Sequence, residues 1–380
     1  IKMEELIKTI NNICEQCDDR QQTKVKYSLS EIVFLILSGV LANCENIDQV
    51  VIFGQESMDF LTQYFQYKNE IPALCTIYRL LDLINPKYLG NLLIMMKKEL
   101  KMQQISIDGK YIKNSKCKKN KRTGDLIVSA YDNENEITIT QELVPSKTNE
   151  IPTVYEILKQ LNLEDTIITV DALNSQVKNS NYIIKHKGNY VFPIKENQED
   201  LYKVIKDYFE DTEIIPIIKN DNNRYFCSIQ KSNSKIHKKE YFLGSSEITD
   251  IKNQLVKQKW ASVKQVVQCI CTTTNLKTNE QTVKIRYFIS SIERTAKEYS
   301  VIIKDHWKVE TMHWYLDVTF REDDCTVSNT NAVENLNIFR KTALALIKKY
   351  KKETKRSVKN YRYQLSQDKK LLKELLDCYI

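Results

Sequence analysis

Two aspartates occupy positions where a charge is expensive. Asp108 stands inside the apolar run ISIDGK, just before Gly109, a residue that permits close backbone approach; Asp171 closes a second apolar run, IITVDA. A carboxylate at the end of a buried strand is unfavourable unless it is paired, hydrogen-bonded or metal-bound, and two of them on neighbouring strands repel. A shared divalent cation removes both difficulties. Taken singly, each Asp also suits a plainer role, capping the turn or helix that follows it.

The third feature is HWKVETMHWYLDVTFRED, from His306 to Asp323. Glu310 lies one helical turn after His306 and one before His313, so a helix presents all three on one face. That face reads either as a His/Glu metal site or as a glutamate aimed at a site built elsewhere and framed by Trp307 and Trp314. Aromatics at helical spacing also serve ordinary core packing. The spacing is not the HExxH of zinc proteases, which discounts a zinc hydrolase. Asp317, Glu322 and Asp323 follow closely, and Glu322 competes with Glu310 for the active role.

Periodicity supplies the elements that must hold these residues. Up to about Leu100 the pattern is helical, with apolar spacings of three and four over Leu29–Asn43, Ile47–Tyr64 and Tyr88–Leu100, punctuated at Ile71-Pro72 and Asn85-Pro86. From Gln103, ISIDGKYI, LIVSAYD and EITITQELV read as three consecutive antiparallel strands. A helix from Asn149 to Leu161, a buried strand TIITVDAL, a helix from Ser175 to Lys185 and a strand NYVFPIK follow. That order predicts a mixed α/β sheet flanked by helices. After a helix at Glu199–Tyr208 the chain turns β-rich, then helical again over Ala296–Asp317 and Asn331–Tyr350. The expected organisation is an all-α domain over 1–100, a core over 101–212 and 294–350 interrupted by a β-rich insertion at 213–293, and a basic helix over 351–380.

At 380 residues the chain is long enough for two or three packed units, and seven Gly and six Pro are too few for a linker-rich one. The net charge of +8 is modest, but basic residues gather at Lys110–Arg122 and Lys348–Lys373, which favours a polyanionic partner more than the total does. The second cluster, KKYKKETKRSVKNYRYQ, interleaves aromatics with charge and suits either nucleic-acid backbone or a solvated helix. Ten scattered cysteines, without a second CxxC to complete a zinc finger, point to free thiols in a reduced, cytoplasmic setting. The apolar stretch IVFLILSGVLA is too short to cross a bilayer.

Taken in order, ISIDGK, SAYDNENEITITQELVPSKTNEI, ITVDALNSQ, KENQ and HWKVETMHWYLDVTFRED resemble the ISAs-type insertion-sequence transposases, also called H-repeat-associated proteins. The likeness runs from about Asp18 to Lys348 and includes the helical segment DDRQQTKVKYSLSEIVFLILSGVLANCENIDQV. It implies a DDE transposase on a ribonuclease-H-like fold, with Asp108 on the first strand, Asp171 after the fourth and Glu310 on a late helix. These three are then the catalytic and metal-binding residues. Oxygen-only ligands suit two Mg²⁺ or Mn²⁺ ions, which clamp the attacking and leaving oxygens of a phosphodiester.

The resemblance further implies element ends and target DNA as partners, and a homodimer or higher oligomer acting at the bacterial nucleoid. Lys110, Lys195 and Lys304, which stands where the family often has Arg, become candidate phosphate contacts. His306 and Trp307, with Trp314, would orient the Glu-bearing helix or stack on a displaced base. Several positions depart from the family: its SHDT reads Ala73-Leu74-Cys75-Thr76, its KGNQ reads Lys195-Glu196-Asn197-Gln198, and its IEN reads Val309-Glu310-Thr311. Only part of its HGR-type motif survives near His237, and Val327 and Ser328 stand where a basic residue is usual. A weakened or domesticated DNA-binding descendant and a nuclease of the same fold are the competing functions.

Overall fold

The chain's architecture is that of a computed structural model, which describes residues 2–94, 104–113, 124–144, 150–327, 329–351 and 354–377. Its β-branched and apolar runs form nine strands: β1 Gln104–Ile112, β2 Asp125–Asp132, β3 Ile137–Leu143, β4 Ile167–Val170, β5 Asn189–Ile194, β6 Tyr225–Ser232, β7 Lys235–Ser245, β8 Gln265–Asn275 and β9 Gln281–Ser290. They lie in one sheet of order β3-β2-β1-β4-β5-β9-β8-β7-β6. The first five, with β4 parallel to β1 and β5 parallel to β4, make the ribonuclease-H-like mixed sheet.

Local chemistry fixes the turns. Asp132 ends β2 and its Oδ1 accepts the amides of Glu134 and Asn135, closing the hairpin into β3. Parallel pairs need crossovers, supplied here by helices expected from the sequence: eight residues short of β4 lies the end of Glu150–Gln160, and Val177–Lys185 joins β4 to β5. Gly188 enters β5 so close to Leu163 that an added Cβ would meet its carbonyl oxygen at 2.8 Å. Only glycine lets those backbones approach.

The β-rich stretch continues this sheet through β9, which pairs antiparallel with β5 from Val191↔Ser290 to Ile194↔Tyr287. Its strands are long and strictly antiparallel, β8 with β7 over eleven pairs' length from Lys235↔Asn275 to Ser245↔Gln265. A helix at Thr249–Gln258 was not legible among the strands, because its apolar face, Ile251 and Leu255, is one turn long. The inner part of this extension packs Tyr241, Leu243, Val267, Cys269 and Phe288 against Tyr299, Ile302 and Ile303 of a long helix, Ala296–Val318.

In chain order the helices are α1 Lys2–Cys17, α2 Leu29–Leu41, α3 Ile47–Glu56, α4 Met58–Leu61, α5 Leu74–Leu83, α6 Pro86–Leu89, α7 Asn91–Ile94, α8 Glu150–Gln160, α9 Val177–Lys185, α10 Glu199–Glu210, α11 Ile214–Lys219, α12 Thr249–Gln258, α13 Ala296–Val318, α14 Thr330–Lys351, α15 Val358–Gln367 and α16 Lys369–Asp377. The single helix expected over Ile47–Tyr64 is two, broken at Ser57, whose backbone is non-helical at φ −125°. The helix expected over Tyr88–Leu100 is likewise short segments as far as Ile94; the remainder lies outside the described residues. α2 is buried along nearly its whole length and starts with a capping box between Ser28 and Glu31.

By internal contacts the chain forms two compact units. One comprises Ile1–Lys101, Gly109–Asn149 and Glu310–Ile380; the other comprises Met102–Asp108 and Glu150–Val309. In the first, α14 packs against α2, α5 and α15. The basic tail is not uniformly a solvated surface there. Arg362 of α15 is fully buried, donating from Nη2 to the Val40 and Cys44 carbonyls and from Nη1 to that of Thr319, with its guanidinium 4.0 Å over the Phe320 ring. No described helix is long and apolar enough to cross a membrane, and the eight described cysteines are free.

Removing Arg362 leaves three buried carbonyls without a donor, each costing about 1–3 kcal/mol. Arg362→Ala should therefore lower unfolding free energy by roughly 3 kcal/mol or more in urea titrations, and Arg362→Lys should restore only part, since an ammonium lacks the fork. An unchanged midpoint would show that the tail does not anchor the helices.

Candidate active site

β1 and β4 pair in parallel register from Gln104↔Ile167 to Ile107↔Val170. Asp108 and Asp171 are the next residue on each strand, so the register sets them side by side at one end of the pair. Strand alternation then places Ser106 with Asp108, and Thr169 with Asp171, on a common side. The two hydroxyls lie 2.9 Å apart, and His306 of α13 places Nδ1 3.0 Å from Thr169 Oγ1. A chain of three side chains therefore ties β1, β4 and α13 together on the side that carries the two carboxylates.

Burial pushes the His306 imidazole down to about 4; the Asp171 carboxylate opposes this and the Arg286 charge adds to it. The ring is neutral at ordinary pH and serves as a hydrogen-bonding strut. Asp171 uses Oδ1 to accept the Asn174 amide at 2.9 Å, so the turn-capping role open to it from the sequence is real for that oxygen. The loop beyond is held from outside: Asn197 donates to the Ala172 carbonyl, Gln198 to that of Ser175, and Asn174 donates to Glu150. The KENQ segment thus braces the Asp171 turn, a role its sequence did not disclose.

Beside Asp171 opens a cleft of about 580 Å³ whose lining includes Lys195, Asn197, Tyr202, Arg286 and Tyr287. Lys195 is exposed there, and Lys304 is exposed on α13. The Arg286 guanidinium stands 4.9 Å over the Trp307 ring. Neither tryptophan is in a core: Trp307 is 39% exposed and Trp314 53%. Ser106, Thr169 and Arg286 on strands and Tyr202 on the helix Glu199–Glu210 were not singled out in the sequence, where nothing marks one such residue among dozens.

A separate cluster forms around Lys110. Its ammonium lies 2.6 Å from Asp317 and 2.8 Å from Glu322, whose other oxygen accepts from Asn337 at 2.7 Å, with Arg340 at 3.7 Å. Asp323 joins through Lys113 at 2.7 Å. Burial works against the Lys110 charge, but Glu322 and Asp317 outweigh it and hold the ammonium above its ordinary range. Burial likewise works against the Glu322 charge, and Lys110 and Arg340 outweigh that to hold it below the carboxylate range. Both members are committed to one another. Burial also pushes His313 down to about 3, helped by Lys341. Glu310 is exposed on α13, one turn beyond His306.

Among the described residues no group of three or more His, Cys, Asp and Glu side chains is gathered closely enough to hold a metal ion. The Asp108–Asp171 pair nonetheless has the right chemistry for a hard divalent cation, since Mg²⁺ is commonly bound by one or two carboxylates, with waters and substrate phosphates completing the octahedron. His and Cys contribute nothing to that pair.

A family model described as "Transposase DDE domain" matches residues 98–346, and one described as "DDE_Tnp_1-associated" matches residues 11–95. The chain is 29% identical over 352 residues to the "H repeat-associated putative transposase YhhI" of Escherichia coli (strain K12), covering 90% of this chain and 91% of that one. It is 30% identical over 370 residues to "Putative transposase YncI" of Escherichia coli O157:H7, covering 94% and 92% respectively. Among solved structures, a piggyBac transposase synaptic complex with hairpin DNA is similar at a TM-score of 0.39 and 13% identity, over 98% of this chain and 78% of that one. A likeness that low leaves the fold resting on the strand order.

The charge clusters predict a pH response. His306 and His313 are neutral when folded but charge near pH 6.5 when unfolded, so the unfolded state takes up protons first. Their contribution is complete above about pH 6.5 and is lost as pH falls towards 4 and then 3. Urea midpoints should drop over that interval, and His306→Asn should flatten the upper part of the slope; equal slopes would contradict a buried neutral ring. Glu322→Ala, which takes the buried carboxylate from Arg340 and leaves Lys110 only Asp317 and Asp323, should cost about 3–5 kcal/mol.

Proposed function

The chain belongs to the transposase family that this DDE domain defines, and from that premise we propose that it cuts DNA at the ends of its element and joins those ends to target DNA. The reading is supported above all by the parallel register that sets Asp108, within β1, beside Asp171, just after β4. We take these two, with Glu310, as the residues that hold two Mg²⁺ or Mn²⁺ ions. When bound, the ions neutralise charge on the attacking and leaving oxygens of the phosphodiester.

The chain's own residues do the remaining work. His306, neutral and fixed on Thr169, sets the rotation of α13, and Glu310 follows it by one turn on the same helical face. Glu322, the competing carboxylate, is 0% exposed and engaged with Lys110, Asn337 and Arg340, which favours Glu310. By the same argument Lys110 is a structural counter-charge, while exposed Lys195 and Lys304 remain the phosphate contacts we propose. Trp307, backed by Arg286, offers a stacking surface at the cleft. An oligomer acting on nucleoid DNA in the cytoplasm would hold two ends together.

The test is cleavage and strand transfer of end-containing duplex with Mg²⁺ or Mn²⁺. Asp108→Asn, Asp171→Asn and Glu310→Gln should each lower activity by about 10³-fold or more while leaving the urea midpoint near wild type, as expected where electrostatic stabilisation of the transition state is removed. Full activity in Glu310→Gln would reject it as the third ligand. Folded wild-type protein that binds ends yet neither nicks nor joins them would replace this reading with a DNA-binding descendant.

A further inference from the structure

Beyond β5 the register of β9, β8, β7 and β6 sorts their side chains onto two faces of different chemistry. On one face a row crosses Ser228, Lys239, Cys271 and Lys284. The next row outward crosses Gln230, His237, Thr273 and Thr282, with His237 Nδ1 3.0 Å from Thr273 Oγ1. The row inward ends on Arg286, which stacks on Trp307 and lines the Asp171 cleft. Side chains here are half-buried to exposed, and neither outer row contains a carboxylate. Among the described residues no ion pair engages Lys239 or Lys284.

The opposite face differs. Its rows carry Cys227, Glu240, Ile270 and Ile285, then Ile229, Lys238, Thr272 and Val283, and its one charge pair, Lys238 with Glu240 at 2.8 Å, is internally balanced. The outermost row of that face adds Lys231, Ile236, Thr274 and Gln281, so it is only in the rows nearer the cleft that the cations without an ion pair among the described residues, Lys239, Lys284 and Arg286, stand on one side of the extension.

Resting on the transposase reading, we propose that this face binds the sugar–phosphate backbone of duplex DNA and guides it to the Asp171 cleft. Lys239 and Lys284 are two interstrand spacings apart, roughly 9–10 Å, and Arg286 is two residues, about 7 Å, further in along β9. Those intervals correspond to about two or three nucleotides of axial rise at 3.4 Å each. Cations supply the charge, and the Thr273, Thr282 and Ser228 hydroxyls supply donors of the kind that phosphates accept. A flat sheet face with short donors reaches backbone rather than base edges, so binding here is independent of sequence.

The two cysteines make the proposal directly testable, because Cys271 lies between Lys239 and Lys284 while Cys227 lies on the opposite face. Native full-length protein is alkylated with a small maleimide, with and without a random-sequence duplex of about 30 base pairs, and each thiol is followed by mass spectrometry. Duplex should slow labelling of Cys271 several-fold and leave Cys227 unchanged. Lys239→Gln with Lys284→Gln should shrink the slope of log affinity against log salt by about two, at roughly 0.9 per phosphate contact, in protein whose urea midpoint is unchanged. Equal labelling of Cys271 in duplex-bound protein, or an unchanged slope in the folded variant, overturns the surface while leaving transposition by the wild type untouched. Protection without any cleavage supports the surface and rejects the activity. Stronger protection by single-stranded RNA than by duplex overturns the choice of partner.

Discussion

The fold's chemistry depends on one constraint, the parallel pairing of β1 with β4. That register sets Asp108, within β1, beside Asp171, just after β4, so the two carboxylates are neighbours across the pair. The Ser106–Thr169–His306 chain prevents the strands from slipping or α13 from turning away. A shift of β4 by one residue would turn Asp171 to the opposite side of the sheet from Asp108.

Contrast with the Lys110 cluster clarifies what the strand ends are for. Glu322 is buried more deeply than either Asp, yet Lys110, Arg340 and Asn337 balance it from within the protein. Such a closed network has no valence left for a ligand and fixes structure instead. Asp171, by contrast, receives one backbone amide and, among the described residues, no lysine or arginine partner. The same division separates Lys238, paired with Glu240 on one face of the outer strands, from Lys239 and Lys284 on the other, for which no ion pair is seen among the described residues.

How far all this could be read from sequence followed the range of the interactions. Asp108 and Asp171 announced themselves because a carboxylate inside an apolar run is a local anomaly, and the alternation of strands and helices gave the sheet. Tertiary pairings left no such trace. Nothing in KENQ showed that Asn197 and Gln198 brace the Asp171 turn, and nothing in the basic tail showed that Arg362 would be buried against α2 carbonyls. Trp307 and Trp314, which helical spacing associates with a core, are exposed, because α13 turns Tyr299, Ile302, Ile303, Val309, Met312 and Leu316 inward instead. An arginine from a strand distant in sequence became a neighbour of Trp307 only through the continuation of the sheet past β5.

The central claim is that the two strand-end carboxylates hold a divalent cation. Titration of the wild-type protein and of Asp171→Asn with Mn²⁺, followed by the electron paramagnetic resonance of the free ion, tests it without relying on catalysis. Wild-type protein should take up Mn²⁺ that Mg²⁺ displaces, and the variant, equally folded, should bind it at least about tenfold more weakly, the order expected from losing one ligand. Identical Mn²⁺ binding by the two proteins would contradict the account.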